Sequence, residues 1–323
     1  MHHPARQRAA LLNTGRLDFD GRLTFDALEE VAELVRYGST EPEQVVERAR
    51  GCQVLITKEM PMRAPVIARL PAEVGLICEA GTGYDNVDLD AARQRGITVC
   101  NVPGYSTHAV AQLTLCFILA LSTGVYKLIR SVAAGDLEDF HDGLRPRSSE
   151  VLGKTLGVVG AGAIGGRVIR LARAFEMKVL VHKPSPGTWD DDGIGQVDLA
   201  ELLAESHFVT LHCPYNEDTH HIIRAETLRG MKKAAYLINT ARGRLVHQGD
   251  LAAAIASGRV AGAALDVQDP EPPPPDDVLW SMPDRIVTPH IGWKALEARQ
   301  RLIAGVARNV RTFLDGAPVN VVS

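Results

Sequence analysis

The sequence predicts an α/β protein with two parallel sheets, and three features of the 323-residue chain lead to this fold class. Short apolar runs alternate with segments of helical spacing, which is typical of parallel strands covered by helices on both faces. The alternation restarts at residue 155, directly before a glycine-rich turn. The length also favours two domains over one, since a domain typically holds ~100–200 residues.

The first series of alternating elements precedes residue 131. Apolar runs predict strands at 9–12, 33–37, 53–57, 74–78 and 97–101. Helical spacing predicts helices at 24–32, 41–50, 63–70 and 88–95, and all but 63–70 have acidic residues in the first turn. The segment 101–107 contains proline and glycine and predicts a crossover into one long helix over 108–130.

The second series begins at residue 155 and repeats the same alternation. Its predicted strands are 155–160, 178–182, 208–211, 235–239, 262–266 and 285–288. Its predicted helices are 164–175, 198–205, 225–232 and 247–257. A last helix is predicted over 294–314, where it would cross back and pack on the first series.

The composition limits the classes of partner. The net charge is −4 with 23% charged residues, and the absence of a long basic run disfavours nucleic-acid or anionic-membrane binding. Four of the five scattered cysteines lie in apolar runs and none has metal-ligand spacing, so we expect buried free thiols in a reducing compartment. The start lacks the apolar core of a secretory signal, and the apolar run 109–125 is short for a membrane span. We expect a cytoplasmic protein that binds a small molecule and no metal.

A dinucleotide site is predicted at the glycine-rich turn Gly160-Ala-Gly162-Ala163-Ile164-Gly165, which follows a strand and opens a helix. The first glycine allows the tight turn, the second lets a pyrophosphate approach the backbone, and the third lets the helix pack on the strand. The helix N-terminus then directs its partial positive charge at the phosphates. Such turns also occur as plain structural turns, but the strand–turn–helix context favours a nucleotide.

The end of the next predicted strand bears on the choice of cofactor. An acid ~20 residues after the motif would accept hydrogen bonds from the adenine ribose, but Lys183 stands there with Ser185 close by. A lysine can pair with a 2′-phosphate. The alternative is a solvated lysine, with the ribose held by backbone groups. We predict NADP in preference to NAD.

Four polar side chains lie at or after the ends of three predicted strands of the second series: Arg242, Asp266, Glu271 and His290. The carboxyl ends of parallel strands meet at one edge of a sheet, so these residues are expected there together. A cation, an imidazole and a carboxylate can hold a carboxylate substrate and move a proton during hydride transfer. Each residue alone has a structural alternative, such as a surface ion pair, a helix cap or, for Glu271, the stiff proline-rich loop 270–277.

Longer stretches resemble a known family. They are EAGTGYDNVDL (79–89), NVPGYSTHAVAQ (101–112), LGKTLGVVGAGAIG (152–165), LHCP (211–214), INTARGRLV (238–246), ALDVQDPEP (264–272) and TPHIGW (288–293). Together they are similar to the D-isomer-specific 2-hydroxyacid dehydrogenases. HIGW with the following EARQRL (297–302) resembles the branch of glycerate dehydrogenase, hydroxypyruvate reductase and glyoxylate reductase.

The resemblance implies a domain organisation and an activity. A Rossmann-type dinucleotide domain, 103–292, is inserted into a flavodoxin-like substrate domain formed by 1–102 and 293–323. The implied activity is NAD(P)H-dependent reduction of a small 2-keto acid to the D-2-hydroxy acid, in a homodimer formed largely through the dinucleotide domains.

The resemblance also implies residue roles. His290 donates the proton to the keto oxygen, Glu271 orients His290, Arg242 clamps the carboxylate, and Asp266 lies near the nicotinamide. The backbone N–H groups of the turn 80–83 would hold the substrate: Ala80, Gly81, Thr82 and Gly83. Further implied cofactor contacts are Cys213, Pro214, Thr240, Ala241 and Gly292. Trp293 either lines the substrate pocket or packs where the chain passes between domains.

Other functions and some departures from the family pattern stay open. A dinucleotide-sensing, corepressor-like binding protein is the alternative from another class, and turnover of a keto acid would separate it from an enzyme. A formate dehydrogenase relative is disfavoured because those enzymes pair the histidine with glutamine, whereas Glu271 stands here. Lys294 replaces a small residue, and segment 131–150 lacks the tryptophan usual in this branch. The loops around 57–60 and 80–84, with residue 293, would select the keto acid.

Overall fold

The structure, a computed structural model, describes residues 6–135, 148–183 and 194–323. The chain divides into two compact units: a terminal unit, Met1–Ser106 with Lys294–Ser323, and a central unit, Thr107–Trp293. Each unit contains one sheet, and all the paired strands of both sheets run parallel. The predicted α/β class is confirmed.

The sheet of the terminal unit has the strand order β2-β1-β3-β4-β5. Its strands are β1 (Arg8–Leu11), β2 (Glu33–Arg36), β3 (Val54–Thr57), β4 (Leu76–Glu79) and β5 (Thr98–Cys100). Its first helices are α1 (Thr14–Leu17), α2 (Asp26–Glu29), a 3₁₀ turn (Pro42–Gln44), α3 (Val45–Arg48), α4 (Ala64–Ile67) and α5 (Leu89–Gln94). This order is that of the flavodoxin-like folds.

The central unit begins with two helices where one was predicted, so the prediction of a single helix over 108–130 was wrong. Helix α6 (Thr107–Thr123) and helix α7 (Val125–Ala133) meet at an angle of 78°. Gly124 lies between them with φ at +69°, a left-handed conformation that glycine adopts without a Cβ clash. Among the residues that the structure describes, no single helix is long and apolar enough to span a membrane. Of the described helices, only the bent pair α6 and α7, taken together, is long and apolar enough for a span, and this is a matter of length and composition alone.

The sheet of the central unit has the order β12-β11-β10-β9-β6-β7-β8. Its strands are β6 (Thr155–Val159), β7 (Lys178–His182), β8 (Gly195–Gln196), β9 (Phe208–Leu211), β10 (Ala235–Asn239), β11 (Val260–Leu265) and β12 (Arg285–Val287). Its other helices are α8 (Ala163–Ala174), α9 (Leu199–Glu205), α10 (Ala225–Gly230), a 3₁₀ turn (Gly243–Leu245), α11 (Gln248–Ala256) and α12 (Val278–Ser281). The strand order reverses between β6 and β9, which is where open α/β sheets bind ligands.

The last helix, α13 (Leu296–Leu314), belongs to the terminal unit, as predicted. A Cβ atom on its Gly305 would lie 2.4 Å from Val102, so glycine is needed where the helix crosses the chain after β5. Asn309 of the same helix donates to the carbonyl of Asn101 at 2.7 Å. The chain end then bonds to β5, with the N–H of Val322 donating to the carbonyl of Val99.

Candidate active site

The glycine-rich turn after β6 has the geometry of a dinucleotide cradle. Gly160 has φ at +93°, and a Cβ there would lie 2.6 Å from the backbone nitrogen of Cys213. A Cβ on Gly165 would lie 2.1 Å from the carbonyl oxygen of Gly160. Both positions therefore exclude a side chain. Gly162 precedes α8, and a Cβ built there would have no heavy atom within 4 Å. This open space lets a pyrophosphate approach the helix N-terminus.

Lys183 directly follows β7, the strand paired with β6. Its side chain is half-buried at the carboxyl end of the sheet. The neighbouring His182 ring contacts the carbonyl of Val197 at 3.3 Å. The second predicted phosphate ligand, Ser185, lies outside the described residues. Of the predicted pair, only Lys183 can be placed.

Cys213 and Pro214 follow β9 at the point where the strand order reverses. The Cys213 thiol is buried, and burial raises its pKa to about 11, so it is neutral at physiological pH. The carbonyl of Pro214 accepts a hydrogen bond from Thr219 Oγ1 at 2.8 Å. The backbone of Cys213 lies closest to Gly160, and the predicted pair is thus beside the glycine turn.

His212 lies in the loop directly after β9 and is half-buried. Its ring Nε2 pairs with Thr210 Oγ1 at 3.0 Å. Burial lowers the pKa of His212 to about 3, because an apolar environment disfavours the charged imidazolium. The ring is partly enclosed because the residue directly follows the buried strand β9.

Asp266 anchors the turn 288–292, which carries His290. Its Oδ1 accepts from Thr288 Oγ1 at 2.6 Å and from the Ile291 N–H at 2.8 Å, and its Oδ2 accepts from the Gly292 N–H at 2.8 Å. The side chain is buried, and burial raises the pKa of Asp266 while these donors oppose the shift. The carboxylate therefore holds the turn in shape.

His290 and Glu271 form a direct pair. His290 Nδ1 lies 2.9 Å from Glu271 Oε2, and the two side chains are 29% and 34% exposed. Because Nδ1 faces the carboxylate, Nε2 is the ring atom left for proton exchange with a bound molecule. The backbone of His290 has φ at +50°, an uncommon conformation for a non-glycine residue and one concentrated at functional sites.

Arg242 lies on the turn after β10. The carbonyl of Arg242 accepts from Asn239 Nδ2 at 2.8 Å, and its guanidinium donates to the carbonyl of Ala241 at 2.8 Å. On the same turn, the Thr240 hydroxyl pairs with that of Thr114 at 3.2 Å. The turn thus has a defined backbone, and the guanidinium stays half-buried.

The central unit brings the predicted residues Arg242, Asp266, Glu271, His290 and Gly292 to the carboxyl ends of β10, β11 and β12. Trp293 ends this unit and is buried. An imidazole, a carboxylate and a guanidinium at one sheet edge can perform acid–base chemistry on an anionic ligand.

The predicted substrate turn 80–83 belongs to the terminal unit, where it follows β4. The N–H of Ala80 donates to the carbonyl of Thr57 at 2.7 Å, and that of Gly81 to the carbonyl of Glu79 at 2.8 Å. These two groups are used within the protein. The N–H groups of Thr82 and Gly83 are the ones left for a ligand. The predicted set of four backbone donors, residues 80–83, is thus reduced to these two.

Glu79, the last residue of β4, was not singled out from the sequence. It is buried, and its carboxylate accepts from Thr57 Oγ1 at 2.6 Å, Asn86 Nδ2 at 2.9 Å and the Glu59 N–H at 3.0 Å. Burial raises the pKa of Glu79, and the neighbouring Lys58 opposes the shift. The signal in the sequence was a lone acid at the end of the apolar run LICE.

Comparison with known proteins identifies the family. The NAD binding domain of the D-isomer specific 2-hydroxyacid dehydrogenases matches residues 115–292. The chain belongs to this family. Its membership confirms the predicted enzyme class, an NAD(P)-dependent D-2-hydroxyacid dehydrogenase that reduces a 2-keto acid.

Individual relatives are similar in sequence or structure to this protein over most of its length. The chain is 39% identical to the glycerate dehydrogenase of Methylorubrum extorquens over 296 residues, which cover 90% of this dehydrogenase and 92% of the relative. It is 34% identical to the hydroxypyruvate reductase of Blautia hydrogenotrophica over 315 residues, 97% of each chain. The solved structure of a glyoxylate reductase from Paecilomyes thermophila superposes with a TM-score of 0.85 at 29% identity, covering 99% of both chains. All three relatives are enzymes, and the corepressor-like alternative gains no support.

Proposed function

We propose that this dehydrogenase reduces a small 2-keto acid of the glyoxylate or hydroxypyruvate type to the D-2-hydroxy acid, and catalyses the reverse reaction. The contact of His290 Nδ1 with Glu271 Oε2 at 2.9 Å carries the proposal. It fixes the ring tautomer so that Nε2 can hold the transferred proton. The names of the relatives support a keto acid of two or three carbons.

In the proposed reaction, His290 Nε2–H donates its proton to the keto oxygen as negative charge develops there. The bound nicotinamide supplies the hydride. Glu271 holds the ring through its contact with Nδ1, so the proton on Nε2 is the one available for transfer. A positioned donor of this kind lowers the barrier both by hydrogen bonding to the developing oxyanion and by completing the proton transfer.

Arg242 is proposed to bind the substrate carboxylate. Its planar guanidinium can donate two parallel hydrogen bonds to a carboxylate, which a lysine ammonium cannot do. The terminal unit is proposed to contribute the N–H groups of Thr82 and Gly83. In this assignment, residues 1–102 with 293–323 form the substrate domain and residues 103–292 the dinucleotide domain.

For the cofactor, we propose NADP in preference to NAD. The turn Gly160–Gly165 would hold the pyrophosphate, and its shape supports this because Gly162 leaves open space before α8. Lys183 would pair with a 2′-phosphate, since it stands where a ribose-binding acid is expected. NAD is the alternative if Lys183 is only solvated.

We also propose a cytoplasmic homodimer. Three apolar residues of α7 are exposed at helical spacing, Val125, Ile129 and Val132, so they share one face of the helix. A contiguous exposed apolar face is typical of a protein–protein interface. Light scattering of the purified protein, compared with Ile129→Asp, tests the proposal. We expect a dimer for the parent and a monomer for the variant.

A substrate panel tests the proposed reaction. Glyoxylate, hydroxypyruvate, pyruvate and longer 2-keto acids are each assayed with NADH and NADPH, and the product is resolved by chiral chromatography. We expect the highest kcat/KM with glyoxylate or hydroxypyruvate and only the D-product from hydroxypyruvate. Binding of dinucleotide without turnover of any keto acid would instead support a sensing role, and an L-product would overturn the proposal.

A further inference from the structure

We infer that Gln268 is the positioning residue that sets Glu271 and His290 in register with the turn of Arg242. This inference rests on the catalytic roles proposed above. Gln268 is buried and lies two residues after Asp266. It is a neutral side chain with no place in the proton transfer itself.

Three segments carry the proposed catalytic groups: the turn of Arg242, the loop of Glu271 and the turn of His290. The backbone of Gln268 contacts the first two. Its N–H donates to Glu271 Oε1 at 2.8 Å, which leaves Oε2 for His290. Its carbonyl faces Gly243, where a Cβ would lie 2.0 Å from the Gln268 oxygen. The residue next to Arg242 therefore packs directly on the backbone that holds the Glu271 carboxylate.

The side chain of Gln268 reaches the third segment. Its Nε2 donates to the carbonyl of Thr288 at 3.1 Å and to that of Leu265 at 3.2 Å. Thr288 lies two residues before His290, and its carbonyl also accepts from the His290 N–H at 3.0 Å. The side-chain amide of Gln268 thus links the loop that carries Glu271 to the turn that carries His290.

This link has a specific consequence for His290. A left-handed backbone at a non-glycine residue persists only where its surroundings over-determine it. Asp266 fixes the turn through Thr288, Ile291 and Gly292, but among the described residues it makes no hydrogen bond to Glu271. Gln268 is the residue that joins the two halves of the pair, so its loss should displace Glu271 relative to the ring.

The test uses Gln268→Met, which keeps the side-chain length and removes the two hydrogen bonds that the side-chain Nε2 donates. The backbone N–H bond to Glu271 is kept. We expect kcat to fall about 10- to 100-fold, since small displacements of a catalytic group can cost this much. KM for the keto acid and for the cofactor should change by less than about threefold, because Gln268 is not among the proposed ligand contacts. An equal rise of KM, or an unchanged kcat, would overturn the inference.

A double-mutant cycle with Glu271→Gln tells a positioning role from general destabilisation. If Gln268 acts through Glu271, adding Gln268→Met to Glu271→Gln should lower kcat by less than about threefold, because residues of one network are not additive. Independent, multiplying losses would overturn the inference. An unchanged kcat in Glu271→Gln alone would overturn the catalytic pair of the proposed function, a separate result from that of Gln268.

A matched control makes the same glutamine-to-methionine change at a position away from the proposed site. Gln53, in the terminal unit, accepts from the Arg8 N–H at 2.9 Å through its side-chain oxygen. Gln53→Met should keep kcat within about twofold, since it touches no functional segment. Should Gln268→Met fail to fold, Gln268→Glu replaces it, because an ionised carboxylate has the same length and donates no hydrogen bond. The same loss of kcat is expected, and normal kcat in that variant would overturn the inference.

Discussion

Asp266 in the central unit and Glu79 in the terminal unit occupy equivalent places in two different sheets. Asp266 follows β11 and Glu79 ends β4, so each lies at the carboxyl end of a parallel strand. Each is 1% exposed. Burial raises the pKa of both carboxyls, and hydrogen-bond donors oppose the shift in both. Both units therefore use a buried acid to shape a functional turn.

The two acids differ in what they hold. Two of the donors to Asp266 are backbone N–H groups of the turn that carries His290. Two of the donors to Glu79 are side chains: Thr57 at the end of β3, and Asn86 in the loop that follows the turn 80–83. Asp266 thus fixes the turn that carries the proposed proton donor His290, whereas Glu79 bonds to residues beside the proposed backbone donors of the turn 80–83. The first should govern the rate and the second the binding of substrate.

The largest expected effect removes the reactive side chain that Asp266 positions. His290→Asn should lower kcat for keto-acid reduction by ~10²–10⁴, the usual contribution of a positioned proton donor. Cofactor affinity, followed by fluorescence of the bound dinucleotide, should stay near that of the parent. A variant with parental kcat would remove His290 from the mechanism and with it the assigned role of Asp266.

The next prediction compares the two acids directly. Asp266→Asn and Glu79→Gln each keep the shape and turn one acceptor oxygen into an NH₂ group that faces existing donors. A buried unpaired donor costs ~1–3 kcal/mol, or roughly tenfold per 1.4 kcal/mol. We expect about a tenfold loss of kcat in Asp266→Asn and about a tenfold rise of keto-acid KM in Glu79→Gln. Steady-state kinetics that give the same pattern for both variants would break the distinction.

A smaller effect is expected at Lys183, on the cofactor side of the central unit. Lys183→Asp should shift kcat/KM from NADPH towards NADH by about tenfold or more, since charge-assisted contacts contribute ~1.5–3 kcal/mol. An exposed pair would contribute only ~0–1 kcal/mol. Both cofactors are measured with both proteins. Equal use of NADH and NADPH by the parent, or no shift in the variant, would make Lys183 a solvated residue.

The smallest prediction concerns stability and extends the comparison to a half-buried base, His212. Burial lowers the pKa of His212 to about 3, from 6.5 for an exposed imidazole. The neutral ring therefore stabilises the fold above pH 6.5, and this contribution is lost as pH falls towards 3. The loss is at most about 1.4 kcal/mol per pH unit. In urea unfolding at pH 7.5 and pH 5, His212→Gln should lose less stability than the parent on acidification; an equal loss would contradict the buried neutral state.

Much of the site was predictable because its signals are local in sequence. Gly160 and Gly165 could be identified because the turn that needs them spans six residues. Arg242 and His290 follow short apolar runs, and parallel strands bring such positions to one edge of a sheet. The order of strands and helices followed from the periodicity of apolar residues.

Other features depended on contacts between distant residues. Gly124 is one glycine in a long apolar segment, and its left-handed φ turns one predicted helix into two. Glu79 accepts from Thr57, which is 22 residues away, and Gln268 donates to Thr288, 20 residues away. Without these partners, each residue is only a polar side chain near the end of a strand.

The sequence by itself determined the two parallel sheets, the glycine-rich turn and the strand ends that carry the proposed reactive side chains, because periodicity and turn chemistry act over a few residues. Only the tertiary structure decided which polar groups are buried and which donors meet them. The burial of Asp266 and Glu79, the neutral state of His212 and the link through Gln268 all arise from strands that pair far apart in the chain. Removal from water, and not residue type alone, gives these groups their roles.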